Sequence, residues 1–333
     1  MVLGAALPEQ ALAWAGQHLS RPIAAVGPIG GGLTRTKWVL RLAGWTEFGT
    51  VPNSVRTEFG TVPNPVRTEL GTVPNSVRSG RFVVRWCDPT EWGETGREHV
   101  RREALACQVL AGSGLPVPRL IAADLDGNRA GGPANLVTWL PGAVRLDPLS
   151  PAAVEALAAL AVAVHRRPVA DDQRPPVFSY RGPAVLEVPG WTNRPALWQR
   201  AIDLRAAGAP PTPFGLIHRD FHLGNILWEG EAVSGLVDWA ETSWGPADLD
   251  VAHLCCDFAM LHTTAGADMF REAYRRRGGR LDPQEFRYWQ VSDILGFLPD
   301  PAHILPAVAS TRPDLTAGRI RQGLEDLLAL TLA

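Results

Sequence analysis

A short β section set among helical patterns constrains this 333-residue chain more than any other feature: Phe214–Trp239, reading FGLIHRDFHLGNILWEGEAVSGLVDW. Ile226–Glu229 and Ala232–Val237 are apolar runs of strand length joined at Gly230-Glu231, which predicts a tight hairpin. Pairing outward from the turn sets Glu229 opposite Ala232, Ile226 opposite Gly235 and Asn225 near Leu236. Asp238 then lies past the same open end as Asn225, and the loop leading into that end carries Asp220. The three side chains are expected to converge although eighteen residues separate the first from the last. Two carboxylates and an amide at one point suit a hard cation such as Mg²⁺, which takes oxygen ligands and keeps phosphate and water as the remainder. Phosphoryl transfer needs such a site: the metal neutralises phosphate charge while a separate carboxylate orients the attacking hydroxyl and accepts its proton.

Around this section the chain divides in two. The first part reads as strands with one helix: Gly30-Gly31-Gly32, then strands at Thr36–Leu42 and Arg81–Trp86. A helix is expected over Arg97–Leu110, with Val100, Ala104, Cys107 and Ala111 at helical spacing, and a strand over Leu136–Leu140. The second part reads as helices at Pro151–His165, Leu249–Thr263, Ala267–Arg277, Pro283–Leu298 and Ala317–Leu332, with a proline-rich loop over Asp171–Pro189. The expected architecture is a two-lobed α+β protein, with a β-rich N-lobe over 1–137, a mostly helical C-lobe over 138–333 and ligands bound between them.

Three near-identical eleven-residue units interrupt the N-lobe: TEFGTVPNSVR at Thr46–Arg56, TEFGTVPNPVR at Thr57–Arg67 and TELGTVPNSVR at Thr68–Arg78. Each holds a Pro-Asn turn signal, a glycine and few apolar side chains, too little to bury a solenoid core. The reading is a tandem duplication that lengthens a strand-to-strand connection, exposed, mobile and dispensable for activity, because loop closure becomes costlier only slowly with length.

Composition excludes several chemistries. Lys37 is the only lysine among 32 basic residues, and it sits in Arg-Thr-Lys-Trp, so there is no Gly-Lys-Ser/Thr phosphate loop; Schiff-base catalysis would rest on Lys37 alone. Neither Gly-x-Ser-x-Gly nor His-Glu-x-x-His occurs. The net charge of -2, without a basic stripe, gives no sign of a nucleic-acid or membrane partner. No signal peptide is read at the N-terminus, and the expected location is cytoplasmic, with Cys87, Cys107, Cys255 and Cys256 as small buried hydrophobes.

His218-Arg219-Asp220-Phe221-His222-Leu223-Gly224-Asn225 resembles the H-x-D-x-x-x-x-N catalytic loop of kinase-like phosphotransferases. Val237-Asp238-Trp239 stands where protein kinases carry D-F-G. With Gly245-Pro246-Ala247-Asp248-Leu249-Asp250-Val251-Ala252 following, and no Ala-Pro-Glu segment, the chain is similar to the aminoglycoside phosphotransferase family rather than to protein kinases. The resemblance implies a protein-kinase-like fold, ATP as co-substrate and Mg²⁺ as cofactor. It implies Asp220 as catalytic base, Asn225 and Asp238 as metal ligands, and Asp250 as a brace for the catalytic loop. It implies Gly31 and Gly32 over the nucleotide phosphates, and the backbone around Val137, Thr138 and Trp139 beside adenine. Arg85 takes the place of the usual phosphate-binding lysine, with Glu103 as its helix partner.

His218 is read as structural and His222 in two ways, as substrate-facing or as a solvated loop histidine. Two other functions compete: a nucleotide-binding regulatory module without transferase activity, and a metal-dependent hydrolase built on His218-x-Asp220-x-His222. The acceptor is expected to be a small hydroxylated molecule, neutral or weakly charged, since ten acids and nine arginines follow from Asp257 onward.

Overall fold

The computed structural model describes residues 6–29, 37–44, 80–180 and 182–333; the repeat at 46–78, Gly31 and Gly32 lie outside the described residues. The N-lobe is a five-stranded antiparallel sheet of order β1-β2-β3-β5-β4. Its strands are β1 (Ile23–Pro28), β2 (Lys37–Leu42), β3 (Arg81–Trp86), β4 (Leu120–Asp124) and β5 (Ala134–Thr138). Residues alternate between its faces. Trp38, Leu40, Phe82, Val84 and Leu136 form an apolar face, against which α1 (Glu9–Gln17) buries Ala11, Trp14 and Ala15. The register pairs Lys37 with Arg85, and Arg85 with Asn135. Cross-strand partners share a face, so these three polar residues form one row on the opposite side.

The helix α2 (Pro89–Val109) runs over that row and begins earlier than the expected Arg97. Asp88 caps it by accepting from the Thr90 N–H at 2.8 Å, and Pro89 opens it. Gly93, at φ 48°, breaks the helical geometry within it, so the clean helical spacing starts only afterwards. Arg102 on α2 reaches into the other lobe, donating to the Thr242 carbonyl at 2.8 Å and to Ser243 Oγ at 2.9 Å.

In the C-lobe the helices are α3 (Pro151–His165), α4 (Pro195–Ala206), α5 (Asp248–Leu261), α6 (Thr264–Arg276), α7 (Pro283–Gly296), α8 (Leu305–Val308) and α9 (Ala317–Leu332). Every residue of α5 except His253 is buried, as expected of a helix enclosed by α6, α7 and α9. The expected hairpin is present as β8 (Ile226–Glu229) and β9 (Ala232–Leu236), joined on its other edge by the two-residue β6 (Ala143–Val144). Its register needs one correction. Glu229 faces Ala232 as expected, but Ile226 faces Leu236 rather than Gly235. A bulge causes this: Trp228 pairs with Val233 and Leu227 with Gly235, leaving Ser234 extra. Ser234 Oγ donates instead to the Pro141 carbonyl at 2.8 Å. The strand β7 (Phe214–Ile217) pairs with β10 (Ser243–Pro246), away from the hairpin.

All four cysteines are buried and unpaired, and burial pushes the thiols up, Cys87 to about 11. Among the described residues no helix is long and apolar enough to cross a membrane.

The helix α9 comes close to α5 at Gly323, where a Cβ would lie 2.0 Å from the Ala259 carbonyl oxygen. Gly323→Ala is expected to destabilise the fold by about 1–3 kcal/mol, read as a lower urea midpoint at unchanged m-value. An unchanged midpoint would mean that α9 can withdraw from α5 freely.

Candidate functional site

The catalytic-loop region is shaped by α5. Asp250, His253 and Asp257 fall at i, i+3 and i+7, one stripe of a helix that is apolar for most of its length. Asp250 accepts the backbone N–H groups of His218 and Arg219, both at 2.7 Å. Arg219 holds φ 71°, a left-handed conformation unfavourable for a side chain with a Cβ, and this double acceptance holds it there. Asp250 therefore braces the loop, as the resemblance implied. Behind it, His165 lies 3.1 Å from Asp250 and 2.7 Å from the Tyr274 hydroxyl. Asp257 accepts the Leu223 N–H at 2.8 Å, one turn further along.

His218 is fully buried and structural. Its Nε2 lies 2.9 Å from the Val237 carbonyl and its Nδ1 is 3.3 Å from the Asp220 N–H, so the ring ties the Asp220 loop to the strand leading to Asp238. Burial lowers its pKa below the usual histidine range despite nearby carboxylates. With both ring nitrogens so engaged, His218 does not pair with His222 as a zinc clamp. Among the described residues no group of three or more His, Cys, Asp or Glu is arranged to hold a metal by itself.

Asp220 and Asn225 meet directly: the Asn225 amide nitrogen lies 2.9 Å from both the Asp220 carbonyl and Oδ2. The Val237 N–H donates to the Asn225 carbonyl at 3.0 Å, so Asp238 follows at the same end of the hairpin in spite of the shifted register. Two histidines flank Asp220, His222 at 3.6 Å and His253 at 3.5 Å. Burial pushes the Asp220 carboxyl up, but the two imidazoles outweigh it and leave it well below the usual carboxylate range. His222 also accepts the Gly224 N–H at 3.1 Å, which fixes its ring beside Asp220 rather than loose in solvent.

From the N-lobe, Arg85 and Glu103 form the expected pair, bidentate at 2.9 and 3.2 Å. Asn135 donates to Glu103 at 3.1 Å and to the Val100 carbonyl at 2.8 Å, which orients the carboxylate. Arg85 then crosses to Asp238, and Lys37 takes the other oxygen of the same carboxylate. Asp238, at φ 66°, is raised by burial but lowered further by these two cations, to below the ordinary range. Thr138 and Trp139 close the N-lobe side. The Thr138 N–H donates to the Arg119 carbonyl at 3.0 Å and the Trp139 N–H to the Arg81 carbonyl at 3.4 Å.

Sequence reasoning gave no part to Lys37, His253, Asp257, Asp293, His165 or Tyr274. His253 and Asp257 carried a signal, standing with Asp250 on one helical face inside a largely apolar run. Lys37 carried none locally, since its partner stands on another strand.

His253 sits between two carboxylates, 3.5 Å from Asp220 and 3.0 Å from Asp293. Burial lowers its pKa, but these carboxylates outweigh that and raise it from 6.5 to about 10. A raised folded-state pKa means that the stabilisation is complete below pH 6.5 and is lost as pH rises through about 10. The stability margin of wild type over His253→Gln should follow that course in urea titrations, and a margin constant across the range would contradict it.

Several solved structures share this fold. The amicoumacin kinase hAmiN, solved with AMP-PNP, Ca²⁺ and Ami, superposes with a TM-score of 0.57 at 14% identity, over 97% of this chain and 94% of that one. A spectinomycin phosphotransferase, APH(9)-Ia, solved with ADP and spectinomycin, gives 0.56 at 11% identity, over 98% and 97%. The macrolide 2'-phosphotransferase MphH from Brachybacterium faecium gives 0.54 at 16% identity, over 96% and 98%. No curated protein matches the sequence. The model of the phosphotransferase enzyme family, APH, matches residues 74–289, which span the Arg85–Glu103 pair, the catalytic loop and the whole of α5, and the chain belongs to that family.

Proposed function

We propose that this protein is an ATP-dependent small-molecule kinase, moving the γ-phosphoryl group of Mg·ATP to a hydroxyl of a small acceptor. The observation that carries the reading is the meeting of Asp220, Asn225 and Asp238 at one hairpin end, against the Arg85–Glu103 pair of the other lobe. The donor set fits a hard cation. Asn225 turns its amide nitrogen to Asp220, so its carbonyl oxygen is the remaining acceptor, and Asp238 adds a carboxylate. Asn225 and Asp238 would hold Mg²⁺, which supplies charge neutralisation at the phosphates.

Asp220 is the base. Its carboxylate is kept ionised by His222 and His253, which suits it to orient the acceptor hydroxyl and take its proton as the bond to phosphorus forms. Gly31 and Gly32 are assigned to the phosphate loop, and Thr138 and Trp139 to the adenine side. As the N–H groups of both residues already meet protein carbonyls, adenine recognition there falls to their carbonyl oxygens and to packing.

The acceptor side is a cavity of about 180 Å³ lined by Tyr180, Arg219, His253, Asp293, Phe297 and His303. Phe297 stacks between His253 and His303, with interplanar angles of 13° and 25°. Asp293 is matched by Arg219 at 3.4 Å and His253 at 3.0 Å, so no surplus negative charge faces the cavity from these residues. That balance favours a neutral or weakly charged hydroxyl compound over a polyamine. The names of the similar structures, amicoumacin kinase, spectinomycin phosphotransferase and macrolide 2'-phosphotransferase, span varied acceptor chemistry on similar folds.

Magnesium-dependent thermal stabilisation by ATP tests the nucleotide site. At a hundred times Kd it should reach about 2.7 kcal/mol in wild type and fall in Asp238→Asn. Asp220→Asn should lower kcat by about 10²–10⁴-fold with ATP affinity nearly unchanged. Nucleotide binding without turnover of any acceptor would favour the regulatory-module reading. In a phosphorylation panel neutral hydroxyl compounds should outperform aminoglycosides, and a strong aminoglycoside preference would overturn the acceptor assignment.

A further inference from the structure

We propose that Lys37 is the side chain that delivers a positive charge to the nucleotide phosphates, with Arg85 fixed behind it. This rests on the kinase reading above and assigns a further residue to the same site.

The two cations differ in how they are held. Arg85 is 2% exposed, bound in two-pronged fashion by Glu103 and joined to Asp238, while Asn135 holds Glu103 in turn. A guanidinium fixed between two carboxylates has its charge matched where it stands, and moving it toward a new anion would leave Glu103 buried and uncompensated. Arg85 is built as a strut. Lys37 is its neighbour in the cross-strand row, directly opposite in the register of β2 and β3. Its side chain is 22% exposed and its ammonium rests on the second oxygen of Asp238. An ammonium is a compact charge on a flexible stem, able to keep its place in the sheet while its head changes partner.

Asp238 is the carboxylate expected to bind metal. With that carboxylate engaged by a metal, Lys37 would need another anion, and the phosphates that such a metal would hold are anions of the kind an ammonium pairs with. Exchange from Asp238 to phosphate needs only a swing of the lysine head, with the strand unmoved. The composition is consistent with a specific use: all other basic residues of the 32 are arginine, and the single lysine stands here. Arginine at β3 and lysine at β2 thus divide between them a task for which one side chain was expected.

The single lysine makes the test direct. An ATP derivative carrying an acyl group on its terminal phosphate transfers that group to an amine at the phosphate site: the amine attacks the acyl carbon, an amide forms and ATP leaves. Peptide mapping by mass spectrometry of the wild-type protein should find the label on Lys37, suppressed by excess Mg·ATP. In parallel, binding of a fluorescent ATP analogue with magnesium should weaken at least ten-fold in Lys37→Met and recover largely in Lys37→Arg. If wild type binds the analogue but Lys37 stays unlabelled, or is labelled without protection by Mg·ATP, the role of Lys37 is overturned and the kinase reading stands. Equal binding by wild type and Lys37→Met has the same meaning. Absence of nucleotide binding in wild type overturns both. The labelling arm uses no variant, so a variant that fails to fold leaves the proposal open to refutation.

Discussion

One buried carboxylate, Asp250, holds the arrangement together. It accepts two consecutive backbone N–H groups, and one of them belongs to a residue in left-handed conformation. Without an acceptor there, the loop would relax and Asp220 would lose its relation to Asn225. Asp250 can do this because α5 is enclosed on every side, so its carboxylate has no freedom to turn to water. Burial raises its pKa, and His165 with the loop groups outweighs that, so the brace stays charged. Tyr274 on α6 backs His165 in turn, which links the loop to the helical core through a continuous chain of hydrogen bonds.

The second organising element is charge balance at Asp238. Three carboxylates, Glu103, Asp220 and Asp238, lie around two cations from the N-lobe and two histidines from the C-lobe. Buried charges of this kind are tolerated only when each has its partner, and losing one partner is more damaging than never having had the pair. The cluster thereby couples the lobes. Arg102 adds a second tie through Thr242 and Ser243, so α2 is held to the C-lobe at points distinct from Asp238.

Much of this was legible in the residues. The hairpin, the loop before it and the acid after it announce a converging set, because a tight turn brings the far ends of the flanking runs together even where a bulge shifts the register. The strands β2 and β3 and the helices α3, α5, α7 and α9 lie within a few residues of their expected bounds, whereas α2 starts eight residues before its expected start. What escaped has physical reasons. The bulge at Ser234 depends on a side-chain bond to Pro141, a contact invisible in the local pattern. The helix α4 follows a proline-rich stretch whose prolines read as loop, although Pro195 in fact opens the helix. Lys37 needed the register between two strands separated by the tandem repeat, and register is a property of the pair. His253 needed the three-dimensional meeting of α5 with the Asp220 loop and with Asp293 of α7.

The strand pair β2–β3 closes with the Leu42 N–H donating to the Gly80 carbonyl at 2.9 Å, just outside the three repeats. The ladder is therefore complete before the repeated stretch begins and after it ends. Replication slippage adds or removes such units eleven codons at a time, always in frame. Doubling the length of a chain connection raises its closure cost by only about 0.6 kcal/mol. A change in copy number would enter at the Leu42–Arg81 end of this strand pair, whereas Lys37 and Arg85 face each other at its opposite end, four residues along each strand.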